Sequence, residues 1–167
     1  MNYLDKMRGS GNKPAAPKAL HIIWSWLGAS VGIGLVALVA VSAGEPLLMA
    51  PLGASAVLAF GIPESPLAQP RNIIGGHIVT ALVGLVFLAL FGSGWWVMGL
   101  AVATSIAGMQ LTGTVHPPAG ANPLIVIATA ASWDYILLPV ASSAVLLTLV
   151  ALLVNNLSPT RRYPLYW

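Results

Sequence analysis

The sequence predicts an all-α membrane protein of four long transmembrane helices and two short broken half-helices, arranged as two pseudo-symmetric halves. Of its 167 residues, 57% are hydrophobic and 7% are charged, and the mean hydropathy is +0.86. This composition is typical of membrane proteins rather than of soluble domains. Two stretches rich in proline and glycine, residues 46–62 and 114–124, interrupt the apolar sequence. Each lies between apolar runs long enough to cross a bilayer, since about 20 helical residues span the hydrocarbon.

The chain divides into one transmembrane domain and two tails. Residues 1–19 are predicted to form a mobile basic N-terminal tail, residues 20–157 the domain, and residues 158–167 a short C-terminal tail. Within the domain, repeat one covers residues 20–91 and repeat two covers residues 95–154. The long helices are predicted over residues 20–43, 72–91, 95–114 and 135–154. Glu45 and Pro46 are expected to end the first of them, followed by extended chain to about Gly53, a short helix over residues 54–61 and a polar loop over residues 63–71. Pro117 and Pro118 are expected to hold an extended approach to the second short helix.

The evidence for a repeat is a short match between the two broken stretches. Pro51-Leu52-Gly53-Ala54-Ser55 aligns with Pro118-Ala119-Gly120-Ala121-Asn122, with identical residues at the proline, glycine and alanine positions. Each copy lies between two long apolar runs, which supports a duplication. The alternative is chance recurrence of Pro-x-Gly-Ala in a chain rich in these residues.

Several chemistries are excluded or disfavoured by composition. Cysteine is absent, which excludes disulfides, thiol catalysis and thiolate metal sites. The three histidines are scattered and form no H-E-x-x-H pattern, so we expect neither a metal nor a cofactor. The net charge of +3 comes without a basic stripe, so no nucleic-acid partner is expected. We do not expect an enzyme.

The number of crossings depends on the two broken stretches. If they are re-entrant loops, the chain crosses four times and the halves are parallel; if each completes a crossing, it crosses six times and the halves are inverted. About seven extended residues at ~3.3 Å and nine helical ones at ~1.5 Å reach roughly 35 Å, more than the ~30 Å hydrocarbon. With a cytoplasmic N-terminus, six crossings place all seven Lys and Arg residues inside, whereas four leave Arg71 outside. The positive-inside rule therefore favours six.

In the arrangement with six crossings, both short helices begin near the middle of the membrane, at Gly53-Ala54 and Gly120-Ala121. Helix N-termini carry unpaired N–H groups and partial positive charge, so two facing ends would form an anion site without a buried lysine. Ser55 and Asn122, expected in the first turns, would add hydroxyl and amide donors. The predicted substrate-binding residues are Gly53, Ala54, Ser55, His116, Gly120, Ala121 and Asn122.

Two histidines lie in apolar surroundings. His116 either donates to an anion or carries a proton, or it caps backbone carbonyls freed by the neighbouring prolines. His77 is either functional, as intramembrane ionisable residues tend to be, or forms an interhelical hydrogen bond. The possible pathway residues are Arg71, Asn72, His77, Gln110 and Thr114. Alternatively, Arg71 snorkels to headgroups, and Gln110 and Thr114 bond between helices.

Four ordered motifs resemble those of the HPP family of integral membrane proteins. They are Pro51-Leu52-Gly53-Ala54-Ser55-Ala56, Ser65-Pro66-Leu67-Ala68-Gln69-Pro70-Arg71-Asn72, Gly75-Gly76-His77 and His116-Pro117-Pro118-Ala119-Gly120-Ala121. The resemblance implies a small polytopic membrane protein. It also implies nitrite as a substrate, because plastid and cyanobacterial members are associated with nitrite transport.

The functional expectation is a transporter or channel for a small inorganic anion, most simply nitrite, with proton coupling as a further expectation. Two alternatives stay open: a membrane sensor or scaffold that binds an anion without moving it, and an intramembrane serine hydrolase that pairs Ser55 with His77 or His116. We expect a multi-pass protein of the cell (inner) membrane with both termini cytoplasmic. Faces of small residues suggest a homo-oligomer, a dimer or trimer.

Overall fold

The computed structural model describes residues 2–8, 11–45 and 47–167. All regular structure in these ranges is helical, which confirms the predicted all-α class. The α-helices of the described ranges are Tyr3–Met7 (α1), Ala19–Ala43 (α2), Pro51–Ala56 (α3), Pro70–Phe91 (α4), Trp95–Thr112 (α5), Asn122–Thr129 (α6) and Ser142–Leu157 (α7). Between them lie the π-helical segments Val57–Gly61 and Leu137–Ala141 and the 3-10 segments Pro66–Ala68, Pro117–Ala121 and Trp133–Ile136.

Three helical segments are long and apolar enough to cross a membrane. They are Ala19–Ala43, Pro70–Phe91 and Trp133–Leu157, the last of which runs through the 3-10 and π-helical segments into α7. Helix α5 has 18 residues but is not among them. It begins with Trp95 and Trp96 and contains Gln110, all of which lower its hydropathy. Three of the four predicted long helices thus meet the length and hydropathy expected of a membrane span.

The first broken stretch is more helical than the sequence suggests. An extended chain was expected up to about Gly53, followed by a helix over residues 54–61, but α3 begins at Pro51. A proline is well placed in the first turn of a helix, because its fixed φ suits the helix and its missing N–H is not needed there. Pro46, expected with Glu45 to end the first span, lies outside the described residues.

The preference of proline for the first turn of a helix also explains two further differences from the predicted boundaries. The predicted loop over residues 63–71 contains a 3-10 turn from Pro66, and α4 already begins at Pro70. Pro117 and Pro118 were expected to hold an extended chain, but they open a 3-10 segment that continues into α6. The residue before them, His116, is extended (φ −139°, ψ 100°), as expected of a residue that precedes proline.

Hydrogen bonds define one end of the helix bundle, which we call the base. His21 Nε2 lies 2.8 Å from the carbonyl of Gly61, and Arg161 donates to the carbonyl of His21 at 2.7 Å. The start of α2, the end of the α3 segment and the end of α7 therefore meet at the base. Arg71 donates to the carbonyl of Thr112 at 2.9 Å, which shows that α4 begins beside the end of α5.

The opposite end is called the apex. Met49 and Tyr135 line a common cavity there of about 560 Å³, so the chain that follows α2 lies beside the chain that precedes α7. Ile127 of α6 packs with Val97 and Phe87, close to the hairpin between α4 and α5. Six consecutive segments therefore alternate in direction between base and apex: α2, α3 with its π-helical turn, α4, α5, the 3-10 segment with α6, and the segment that ends in α7.

Helix α4 lies at the centre of this bundle and contacts α5, α6 and α7. The largest buried apolar cluster fills the space between α2, α3 and α7, and its members include Val36, Leu52, Phe60, Leu147 and Ala151. The two broken segments, α3 and the 3-10 segment before α6, contact each other beside α4. Polar side chains of the candidate site meet at this junction.

Candidate functional site

Four polar side chains from four different segments form one buried cluster. Ser55 comes from α3, His77 from α4, His116 from the chain before Pro117, and Asn122 from the start of α6; each is 0% exposed. They are brought together because α3 contacts the 3-10 segment before α6, and that segment packs on α4. In the membrane interior, polar groups of this kind are costly unless they find partners, so the hydrogen bonds among them decide what the cluster can do.

Ser55 is the centre of the cluster. Its Oγ lies 2.9 Å from Nε2 of His77 and 2.8 Å from Nε2 of His116. The carbonyl of Pro51, one turn earlier in α3, lies 3.2 Å away and is a third partner. A hydroxyl has one proton to donate and two lone pairs to accept with. Ser55 can therefore donate to only one of these partners at a time.

The partner of the other His116 nitrogen fixes the proton arrangement on this side. Nδ1 of His116 lies 2.8 Å from the carbonyl of Leu67. Because a carbonyl can only accept, Nδ1 carries the proton of the neutral imidazole. Nε2 is then the acceptor, and the hydroxyl of Ser55 donates to it.

Asn122 fixes the arrangement on the other side. Its amide nitrogen lies 3.0 Å from Nδ1 of His77, 3.1 Å from the carbonyl of His77 and 3.0 Å from Oγ1 of Thr80. Nδ1 of His77 is therefore an acceptor, and the proton of the neutral ring lies on Nε2, which donates to Ser55. The hydrogen bonds run in one direction, from His77 Nε2–H to Ser55 and from Ser55 O–H to His116 Nε2.

With both rings neutral, the cluster has no donor to spare. The N–H and O–H groups of the two histidines, Ser55 and Asn122 all have acceptors. The unpartnered polar atom in the cluster is Oδ1 of Asn122, which is an acceptor. In this state, the cluster therefore offers nothing that an anion could bind.

The predicted helix-end site differs from the observed geometry. Backbone N–H groups near the two helix starts have partners: that of Gly53 donates to Ala50, and those of the neighbouring Leu52 and Ala119 donate to Met49 and His116. Ser55 lies in the second turn of α3 rather than in the first, because the helix begins at Pro51. The polar contacts of the junction are thus made by side chains, and not by facing helix ends.

The glycines of the two motifs do not line a tight site. Gly53 and Ala54 are exposed, Gly120 and Ala121 are half-buried, and a Cβ added at Gly53 or Gly120 would meet nothing within 4 Å. Neither glycine is therefore packed closely against a neighbouring segment. Close approach occurs instead at Gly76, where a Cβ would lie 2.8 Å from both the carbonyl oxygen of Thr114 and the Cβ of His116.

The possible pathway residues lie in different places. Asn72 is buried and donates to the carbonyl of Val115 at 2.9 Å, and buried Thr114 bonds through its hydroxyl to Thr112 at 2.7 Å. Both hold the chain that leads to His116. Arg71 lies at the exposed rim of the base, and Gln110 lies on the outer face of α5, away from the cluster.

Two groups of residues around the cluster were not anticipated. Thr80 accepts from Asn122, and its spacing of three from His77, which places both on one helix face, was a signal available in the sequence. The C-terminal tail was expected only as a tail, but it covers the loop that presents Leu67 to His116. Tyr163 donates to Ala68 at 2.7 Å and Tyr166 to Asn72 at 2.9 Å.

Within the described ranges, no group of three potential ligands among histidine, cysteine, aspartate and glutamate is placed to hold a metal ion. The chemistry that the arrangement supports is the donation, acceptance and transfer of protons at Ser55, His77 and His116.

Comparison with known proteins places the chain among transmembrane proteins. The family model described as "HPP, transmembrane region" matches residues 14–164. Two transmembrane proteins of Dictyostelium discoideum are each 41% identical, over 179 and 181 positions that cover the whole chain. The chain spans 58% and 64% of the length of these relatives. No solved structure matches it.

Proposed function

Because the chain belongs to the HPP transmembrane family, we propose that it is a membrane transporter or channel for a small inorganic anion, with nitrite as the leading substrate. The observation that carries the proposal is the buried cluster of Ser55, His77, His116 and Asn122 at the junction of the two broken segments. Ionisable residues buried within membrane spans mark ion pathways and proton relays in other proteins. The choice of nitrite rests on the family resemblance alone.

The proposed topology has six crossings, with the base in the cytoplasm of a cell (inner) membrane. The alternation of the six segments between base and apex supports it. Arg71 and Arg161 lie at the base, as the positive-inside rule favours for a cytoplasmic base. The contact of α4 with α5 has its counterpart in that of α7 with α2, which supports two pseudo-symmetric halves, and the opposite directions of α2 and α5 support their inversion.

Proton coupling is the second part of the proposal. An anion needs donors, and the neutral cluster has none free. Adding a proton to a ring nitrogen that accepts from Ser55 turns that nitrogen into a donor and leaves the Ser55 hydroxyl free to donate to an anion, so the anion and the proton favour each other's binding. Transport should therefore increase as the pH falls.

Flux into vesicles that contain the purified protein tests this proposal. We expect nitrite entry that depends on the protein and rises at lower pH. His116→Gln should keep part of the flux and lose its pH dependence, because glutamine can bond to Ser55 but does not titrate. His21→Gln is the matched control: it removes the histidine at the base and should leave the pH profile unchanged. Protein-containing vesicles that admit neither nitrite nor another small anion would contradict transport.

The two alternatives have distinct outcomes in the same experiments. A sensor or scaffold would bind the anion in equilibrium measurements and show no flux. The 2.8 Å contact between Ser55 and His116 is also one that a serine nucleophile makes with its general base, which favours the hydrolase as the second candidate. Covalent labelling by a fluorophosphonate, abolished in Ser55→Ala, would support it. We propose no enzymatic activity, because a serine beside a histidine is by itself a weak signal of catalysis.

We also propose that the protein forms a dimer or trimer. The outer face of α5 carries Gly99, Ala103 and Ala107, which are exposed and four residues apart. Small residues at this spacing let helices approach closely in membranes. Cross-linking in native membranes, compared between the wild type and Ala103→Leu, tests whether this face joins copies of the chain.

A further inference from the structure

We propose that Ser55 joins His77 and His116 into a unit that takes up a single proton at Nε2 of His116, and that this proton redirects the Ser55 hydroxyl toward an anion. The inference rests on the proposed transport function and specifies how its site would work. His77 and Asn122 are positioning residues in this mechanism. His116 carries the proton, and Ser55 is the donor that the anion meets.

The ring nitrogen that takes up the proton can be identified from the groups that face the two unprotonated nitrogens. Two ring nitrogens lack a proton in the neutral cluster, His77 Nδ1 and His116 Nε2. His77 Nδ1 faces the amide nitrogen of Asn122 at 3.0 Å, a donor that cannot become an acceptor without breaking its bonds to the His77 carbonyl and to Thr80. His116 Nε2 faces a hydroxyl, which can turn and accept instead. Protonation of His116 therefore disrupts fewer hydrogen bonds.

Protonation of His116 changes the hydrogen bonds of Ser55, because its hydroxyl has only one proton to donate. A proton from solution binds His116 Nε2, which becomes a donor, while Nδ1–H keeps its bond to Leu67. Ser55 Oγ then accepts from both histidines and uses both lone pairs. Its own proton must point elsewhere, either to the Pro51 carbonyl at 3.2 Å or to a bound anion. One proton taken up thus releases one hydroxyl donor.

A second proton is opposed by the proximity of the rings. The centroids of His77 and His116 are 5.2 Å apart, so two imidazolium ions would repel each other in a buried site. Helices α3, α5, α6 and α7, which pack around the cluster, contain no ionisable side chain. On α4 and the tail, Arg71 and Arg161 donate to the carbonyls of Thr112 and Phe60 at the base and bond to neither ring. No carboxylate in the described part of the chain bonds to either ring to compensate for a second charge.

The inference is tested first on the wild-type protein, by ¹⁵N NMR of its histidines in lipid bilayers across a pH series. At high pH, we expect His77 protonated at Nε2 and His116 at Nδ1. As the pH falls, the signals of His116 should change to the imidazolium pattern while His77 stays neutral. Addition of nitrite should move this change to higher pH. Protonation of His77 first, or of both rings in one step, would overturn the inference.

The second test counts protons taken up per anion on binding to the purified protein. We expect about one for the wild type and about none for Ser55→Ala, in which His116 loses the hydroxyl that responds to its protonation. Ser55→Thr keeps the hydroxyl and should restore the coupling. Ser105→Ala is the matched control, because Ser105 is also 0% exposed and its hydroxyl has no partner in the cluster. Full proton uptake in Ser55→Ala would refute the role of Ser55.

These measurements separate the inference from the function on which it rests. The NMR series reports the order of protonation whether or not any anion crosses the membrane. If vesicles show no flux but His116 alone titrates, the transport proposal is wrong and the inference about proton uptake is supported. If flux is pH-dependent but His77 titrates first, the transport proposal is supported and the inference is wrong.

Discussion

The close approach of the His116 segment to α4 predicts that Gly76→Ala destabilises the protein. An alanine Cβ at this position would lie 2.8 Å from the Thr114 carbonyl oxygen and 2.8 Å from the Cβ of His116. Neither atom is the free end of a flexible side chain, so the segment that carries His116 must move. Overpacking of this kind costs about 1–3 kcal/mol.

Gly99→Ala is the matched control for this substitution. Gly99 also lies inside a helix, α5, but a Cβ there would meet nothing within 4 Å. Both substitutions gain about 1 kcal/mol of helix propensity, which cancels in the comparison. The difference between the two variants is therefore the overpacking cost.

We expect Gly76→Ala to unfold about 2–12 °C below Gly99→Ala in the same detergent, since 1 kcal/mol corresponds to about 2–4 °C for a chain of this size. Movement of His116 should also weaken its bond to Ser55 and reduce proton uptake with the anion. If Gly76→Ala is as stable as Gly99→Ala, the segment before Pro117 does not pack closely on α4, and His116 is not held beside Ser55 and His77.

Three further predictions concern topology and the base. Because native cysteine is absent, Glu64→Cys should react with a membrane-impermeant thiol reagent only from the cytoplasm and Trp133→Cys only from outside; external labelling of Glu64→Cys would exclude six crossings. Tyr163→Phe should lower stability by about 1–3 kcal/mol in thermal unfolding, because the buried Ala68 carbonyl loses its donor. Arg161→Lys should lower the free energy of unfolding by about 1.5–3 kcal/mol, because an ammonium group cannot replace all four hydrogen bonds of the guanidinium, which go to the carbonyls of Phe60 and His21 and the side chains of Asn155 and Ser25. Arg162→Lys is the control: Arg162 is exposed, and its substitution should change stability by less than about 0.5 kcal/mol.

The choice of Glu64 rather than Gln69 for cysteine labelling depends on burial that the sequence does not predict. Gln69 lies in a predicted polar loop and would be the natural choice for a label, but it is 0% exposed. Its amide nitrogen donates to Pro63, and its amide oxygen accepts from Leu165 in the C-terminal tail. Nothing near Gln69 in sequence shows that a segment almost a hundred residues later covers it. Glu64, in the same loop, stays exposed.

Hydropathy and proline content were enough to predict an all-helical chain broken at two places. They were not enough to locate the breaks, because proline has two opposite effects. Pro51, Pro66, Pro70 and Pro117 all occupy the first position of a helical segment, where proline is favourable. When proline is interpreted only as a residue that ends or excludes a helix, the starts at Pro51, Pro70 and Pro117 are placed too late and the 3-10 turn at Pro66 is missed.

The members of the cluster were all found from sequence, but their contacts could not be. Ser55 lies 22 residues from His77 and 61 from His116. The sequence showed a serine in one broken stretch and a histidine in the other, and it allowed either anion donation or a nucleophile with its base. Which groups donate depends on third partners, the carbonyl of Leu67 and the amide of Asn122, and a backbone partner such as the Leu67 carbonyl leaves no mark in the sequence.

Those third partners also change how anion binding and proton uptake are related. If facing helix ends held the anion, their N–H groups would be available at any pH, and a proton would only add charge. The N–H groups of Leu52, Gly53 and Ala119 are already bonded, and the side-chain donors of the neutral cluster are in use. An anion at this junction can gain a donor only when the cluster gains a proton. Coupling would then arise from the shortage of free donors, without an acidic residue in the membrane interior.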